Sequence, residues 1–198
     1  MRTMPGRDPA EKFSCYRETY MTLKPSNIIL IGMPGAGKST IGIILAKMTS
    51  RDFVDTDVLI QILQKRTLQA IVDSDGYLAL RQIEQNVLVE LSVQDCVVAT
   101  GGSAVYSDSA MAHLKANGLV VFLDADIRTL EARIRNYSTR GLAKRADQSF
   151  ADLFQERNAL YRRYADITIV EAGLTQEEVC ERIMQQIEVP FSGTVLVP

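Results

Sequence analysis

Cysteine and histidine are scarce in this chain, and each scarcity narrows its chemistry. The three cysteines, Cys15, Cys96 and Cys180, are far apart and form no C-x-x-C pair. An odd count at such spacing argues against both a disulfide framework and a zinc site, and fits a reducing cytoplasm. Cys96 falls in an apolar stretch and reads as a core residue. The single histidine, His113, lies on a helical segment away from the candidate site and reads as structural. No apolar run approaches the roughly 18 residues that a membrane span needs. A net charge of −2 provides no basic surface for nucleic acid. The first 26 residues are polar and mixed, without the apolar core of a secretory signal, and are expected to form a flexible extension. Internal repeats and low-complexity tracts are absent.

What remains is an ordinary globular composition. Of 198 residues, 46% are hydrophobic and 23% charged, enough for one domain, or one domain with a small lid. The stretch that organises the chain runs from Ile28 to Thr40. Ile28 to Gly32 is a short apolar run suited to a buried parallel strand. Gly32-Met33-Pro34-Gly35-Ala36-Gly37-Lys38-Ser39 fits G-x-x-x-x-G-K-[ST], and Ile41 to Met48 can form a helix. Strand, glycine loop and helix together make a phosphate cradle. Backbone N–H groups of Gly35, Ala36, Gly37, Ser39 and Thr40 can line it, and the helix N-terminus adds partial positive charge. Lys38 can reach the β/γ-phosphates of a nucleotide, and Ser39 can hold Mg²⁺.

Further strands are expected at Phe53-Val54, Cys96–Ala99, Leu119–Leu123 and Ile167–Val170. Helices are expected at Val58–Gln64, Thr67–Asp73, Asp75–Val93, Ser107–Lys115, Asp126–Arg135, Ser149–Tyr164 and Thr175–Ile187. Alternating strands and helices predict an α/β fold, a parallel sheet covered on both faces, with ligands gathered at the carboxyl ends of its strands. Asp55 and Asp57 fall at such an end, as do Gly101 and Gly102. Asp55 can serve Mg²⁺, and Asp57 can accept a proton or hydrogen bond from an attacking hydroxyl. Arg81 and Glu84 are spaced i, i+3, so they can pair on a helix face. Alternatively Arg81, like Arg157, can present a planar fork to a carboxylate. The basic stretch Asn136–Gln148, containing Arg140, reads as a lid that closes over phosphate.

In order, the chain reads G-M-P-G-A-G-K-S-T, F-V-D-T-D, D-G-Y-L-A-L-R-Q-I-E, T-G-G-S-A-V, R-G-L-A and E-R-N-A-L-Y-R-R-Y-A-D. Over Asn27 to Ile187 this combination resembles the shikimate kinase family. The resemblance implies a three-layer P-loop kinase fold with a five-stranded parallel sheet and a mobile lid at about 136–148. The kinase domain would span 27–189, between the extension 1–26 and a tail 190–198. It implies transfer of the ATP γ-phosphoryl group to the 3-hydroxyl of shikimate in a cytoplasmic monomer, with no nucleic acid or membrane partner. Lys38, Asp57 and Arg140 would be catalytic. Arg133 would stack near adenine, and Arg140 would reach the transferring phosphate. Asp57, Arg81, Gly101, Gly102 and Arg157 would hold the acceptor, the glycines by letting backbone amides approach it. Ser39 and Asp55 would serve Mg²⁺.

The chain departs from the family pattern mostly on the acceptor side. Ser103 replaces a third glycine, Tyr77 replaces the acid after Gly76, and Leu80 replaces an aromatic before Arg81. The lid reads Arg140-Gly141-Leu142-Ala143, where the family commonly has R-P-L-L. These departures leave open a kinase of another small hydroxy acid such as homoserine, or a non-catalytic nucleotide- or metabolite-binding regulator.

Overall fold

Five strands form one parallel sheet in the computed structural model of the chain, which describes residues 26–133, 141–145 and 147–188. In chain order they are β1 (Asn27–Ile31), β2 (Asp52–Asp55), β3 (Cys96–Ala99), β4 (Gly118–Asp124) and β5 (Ile167–Val170). Their spatial order is β2-β3-β1-β4-β5. Ile29 of β1 stands opposite Val98 of β3 on one side and Val120 of β4 on the other. Every residue of β1 is buried, which is why its sequence is a continuous apolar run rather than an alternating one. Edge strand β5 does alternate, with Ile167 and Ile169 buried and Thr168 and Val170 exposed.

Eight α-helices lie among the described residues. They are α1 (Lys38–Thr49), α2 (Thr56–Gln64), α3 (Leu68–Asp75), α4 (Tyr77–Glu90), α5 (Asp108–Asn117), α6 (Ile127–Arg133), α7 (Phe150–Tyr164) and α8 (Gln176–Glu188). A 3₁₀ turn, Ala104–Tyr106, follows the loop after β3. The main core joins the sheet to α1, α5, α7 and α8. Cys96 and Cys180 are plain members of it. A smaller cluster of Ile60, Ile71, Leu80 and Ala143 lies apart, between α2, α3, α4 and the segment 141–145.

Two expectations change. The break expected at Ser74, between helices at Thr67–Asp73 and Asp75–Val93, falls instead at Gly76, whose φ of +85° closes α3, its amide donating to Val72 O at 3.0 Å. A new helix, α4, then starts at Tyr77 and ends at Glu90. The helix expected from Val58 also starts earlier, at Thr56. Asp55 ends β2 and caps α2, its Oδ1 accepting from the amides of Asp57 (3.0 Å) and Val58 (3.3 Å). That cap places Asp57 in the first helical turn rather than in solvent. His113 accords with its structural reading, its Nε2 meeting Leu91 O at 2.8 Å.

β1 is the centre of the sheet and the point where the chain changes direction. The chain leaves it for β2 on one side and later reaches β4 on the other. A crevice for ligands opens at the carboxyl end of such a strand.

Candidate active site

A cleft of about 620 Å³ occupies that end of the sheet. Its floor on one side is the loop 34–40. Lys38 is buried, and its ammonium donates back to Gly32 O (2.8 Å) and Met33 O (3.0 Å). Burial lowers its pKa to about 8, with Asp57 opposing the fall. Ser39 Oγ donates to Asp55 Oδ2 at 2.5 Å. One hydroxyl and one carboxylate thus meet at the loop, the hard oxygen donors that Mg²⁺ takes. Arg133 reaches over the loop to Gly35 O (3.4 Å) and is anchored by the buried Glu171 at 2.8 Å. Burial raises the Glu171 carboxyl, and Arg133 counteracts it.

The opposite wall comes from four distant segments. Asp57 lines it from α2 and Glu84 from α4, with Gly101, Gly102 and Ser103 from the loop after β3 and Arg157 from α7. Burial raises the pKa of Asp57, with Lys38 as the main opposing charge. Gly101 is needed for close approach. A Cβ there would collide with Glu84 Oε1 and stand 2.6 Å from Asp57 Oδ1. Its amide is not free for a ligand, because it donates to Thr56 Oγ1 at 3.0 Å. Gly102 is wedged between Arg157 Nη1 and Pro34, and its carbonyl accepts from the Tyr161 hydroxyl at 2.6 Å.

The two arginines converge. Arg157 is 1% exposed and its Nη2 donates to Ala143 O at 2.9 Å. Arg81 Nη2 donates to the same oxygen at 3.2 Å. The Tyr106 ring lies under Arg81, 3.5 Å from its Cζ, and 5.4 Å from Cζ of Arg157. The Nε atoms of both arginines are buried without a hydrogen-bond partner. Each fork thus has donors to spare for a planar anion. Arg157 lines the cleft, whereas Arg81 stands behind the segment 141–145 and meets the cleft only through Ala143.

That segment closes over the acceptor wall. Gly141 has φ +61°, and its amide donates to Gln69 Oε1 at 2.8 Å. A Cβ on it would collide with the backbone of Leu68 and stand 2.5 Å from Gln69 N. Proline, with φ fixed near −65°, cannot take this path. The glycine therefore goes with a closely seated chain. Arg140 lies outside the described residues.

The i, i+3 pairing of Arg81 with Glu84 does not form. Glu84 lies on the buried face of α4, 3% exposed, and its Oε2 accepts from the Ser103 hydroxyl. Burial, then the charge of Asp57, push its carboxyl up to about 7. Arg81 turns the other way, onto Tyr106. Tyr106, Glu171 and the part played by Glu84 carried no motif. Only the helical position of Glu84, on the same stripe as buried Leu80 and Leu88, hinted at its burial.

The family model described as shikimate kinase matches residues 34–188. The chain belongs to the shikimate kinase family. It is 37% identical to a shikimate kinase of Rippkaea orientalis over 174 residues, covering 86% of this chain and 92% of that one. It is 39% identical to a shikimate kinase of Pasteurella multocida over 166 residues, covering 82% and 95%. A solved shikimate kinase from Acinetobacter baumannii in complex with shikimate superposes with a TM-score of 0.77 at 33% identity, covering 86% and 96%. As a shikimate kinase family member, the chain is an ATP-using phosphotransferase with a hydroxyl acceptor. Among the described residues no helix is long and apolar enough to cross a membrane.

Proposed function

We propose that this shikimate kinase family chain transfers the γ-phosphoryl group of ATP to the 3-hydroxyl of shikimate, as a monomer in the cytoplasm. The observation that carries the acceptor is the meeting of two guanidiniums, buried Arg157 and half-buried Arg81, at the Ala143 oxygen of the wall that also holds Asp57. Two forks with unpaired Nε donors suit a carboxylate, which the acceptor must then carry. Relatives named shikimate kinase and the shikimate-bound neighbour support the particular acid.

The residues divide the work by position. Gly35, Ala36, Gly37 and Thr40 cradle phosphate oxygens with their backbone. Lys38 turns from the carbonyls of Gly32 and Met33 onto the β/γ-phosphates, and its lowered pKa of about 8 still leaves it mostly cationic at neutral pH. Ser39 and Asp55 would hold Mg²⁺, and Arg133 would flank the base. When bound, Mg-ATP supplies the phosphoryl group and neutralises its oxygens. The transition state is loose, so catalysis is mostly positioning and charge. Asp57 takes the hydrogen bond, then the proton, of the acceptor hydroxyl. Residues 141–145 keep water from the phosphoryl group, and the family resemblance would give Arg140 the transferring phosphate.

A coupled ADP-release assay with shikimate and homoserine tests the reading. The expected outcome is shikimate-dependent turnover that Asp57→Asn lowers by about a hundredfold or more. Turnover with homoserine alone makes the chain a kinase of another hydroxy acid. No acceptor-stimulated ADP favours a binding regulator. Near-normal turnover in Asp57→Asn removes the role given to that carboxylate.

A further inference from the structure

Ser103 stands where the family pattern has a glycine, and nothing above gives its hydroxyl a task. The side chain is 7% exposed and donates to Glu84 Oε2. Glu84 borders the cleft and forms no ion pair among the described residues. Its second oxygen, Oε1, has no hydrogen-bond partner and lies against Gly101 beside Asp57. A carboxyl group on an sp³–sp² torsion has a broad, soft rotation. With glycine at 103 no side-chain donor would hold Oε2. We propose that Ser103 is a positioning residue of the acceptor pocket, fixing the plane of the Glu84 carboxyl so that its buried Oε1 is held against Gly101 beside Asp57, the carboxylate that meets the acceptor hydroxyl. This deepens the reading above and rests on it.

The charged surroundings of Glu84 give the proposal a readout separate from turnover. Lys38 of α1, Asp57 of α2, and Arg157 and Tyr161 of α7 face it. Burial and Asp57 raise its pKa to about 7, and the Ser103 hydroxyl opposes that rise by bonding to the ionised form. Removing the hydroxyl therefore moves the titration of Glu84 upward.

Carbon-13 NMR of glutamate-labelled protein, with the Glu84 carboxyl assigned by its loss in Glu84→Gln, measures this directly. In Ser103→Ala and Ser103→Gly, both checked for folding by circular dichroism, the midpoint is expected to rise by about half a pH unit or more. Ser103→Thr, which keeps the hydroxyl, is expected to stay near the wild type. With shikimate at saturating ATP, Ser103→Gly is expected to raise the acceptor KM about three- to tenfold, with kcat and the ATP KM within about twofold. A Glu84 midpoint unmoved in both hydroxyl-free variants overturns the positioning, as does an unchanged acceptor KM. A shifted midpoint in a protein inactive on shikimate supports the positioning and overturns only the substrate reading.

Discussion

The two sides of the cleft are built by different means. The nucleotide side is nearly one contiguous stretch, residues 32–40, which adopts its shape because of local glycine chemistry and the strand and helix it joins. Its charged group, Lys38, is satisfied by carbonyls five and six residues away. The acceptor side draws on α2, α4, the loop after β3, α7 and the segment 141–145. It buries Glu84 and Arg157 and half-buries Arg81, each with a buried atom left unpaired. A local site can change little without losing its shape. A site assembled from five places can exchange one neighbour at a time, and the departures at Leu80, Ser103, Gly141 and Ala143 all lie on this side.

The sharpest way to break the contrast is to remove the one charged side chain of the loop. Lys38→Ala is expected to lower kcat by about a hundredfold to a thousandfold. Acceptor binding in the absence of ATP, measured by calorimetry, should fall far less than kcat, because Lys38 acts on that wall only through its charge beside Asp57 and Glu84.

Next comes the acceptor side, where geometry matters as much as charge. Arg157→Lys keeps the cation and discards the fork. It is expected to lower kcat/KM for the acceptor about tenfold to a hundredfold while leaving the ATP KM nearly unchanged. Full retention of kcat/KM would mean that a point charge suffices.

The last effect concerns stability, not turnover. Because the Glu84 carboxyl is raised from 4.5 to about 7 in the folded chain, its protonated form is the one folding favours. Its contribution is fully present below pH 4.5 and is lost as pH rises to about 7. Chemical denaturation of the wild type and Glu84→Gln should therefore diverge over that window, the variant gaining up to about 3 kcal/mol relative to the wild type. Parallel curves would show that Glu84 is not desolvated.

Legibility followed the same division. β1, the phosphate loop and the capped helix after β2 could be read because each rests on neighbours in sequence: an apolar run, a glycine spacing, an acid two residues from another. The break between the two helices was legible to within two residues, because the apolar spacing of Leu78, Ile83, Val87 and Leu91 defines the second helix but does not say which residue before it ends the first. Spacing put Arg81 and Glu84 on neighbouring turns and could not say which partner each would prefer. The hydroxyl of Ser103, 19 residues from Glu84, and the ring of Tyr106 decided that. Glu171 belongs to no pattern at all, and only the fold brings it to Arg133 across 38 residues of chain.

The carbonyl of Ala143 serves two guanidiniums at once. Neither bond can be surrendered alone by a movement of that peptide unit, so both cations are uncovered in one event. An anion that takes the place of that carbonyl gains one Nη2 donor from each fork at once.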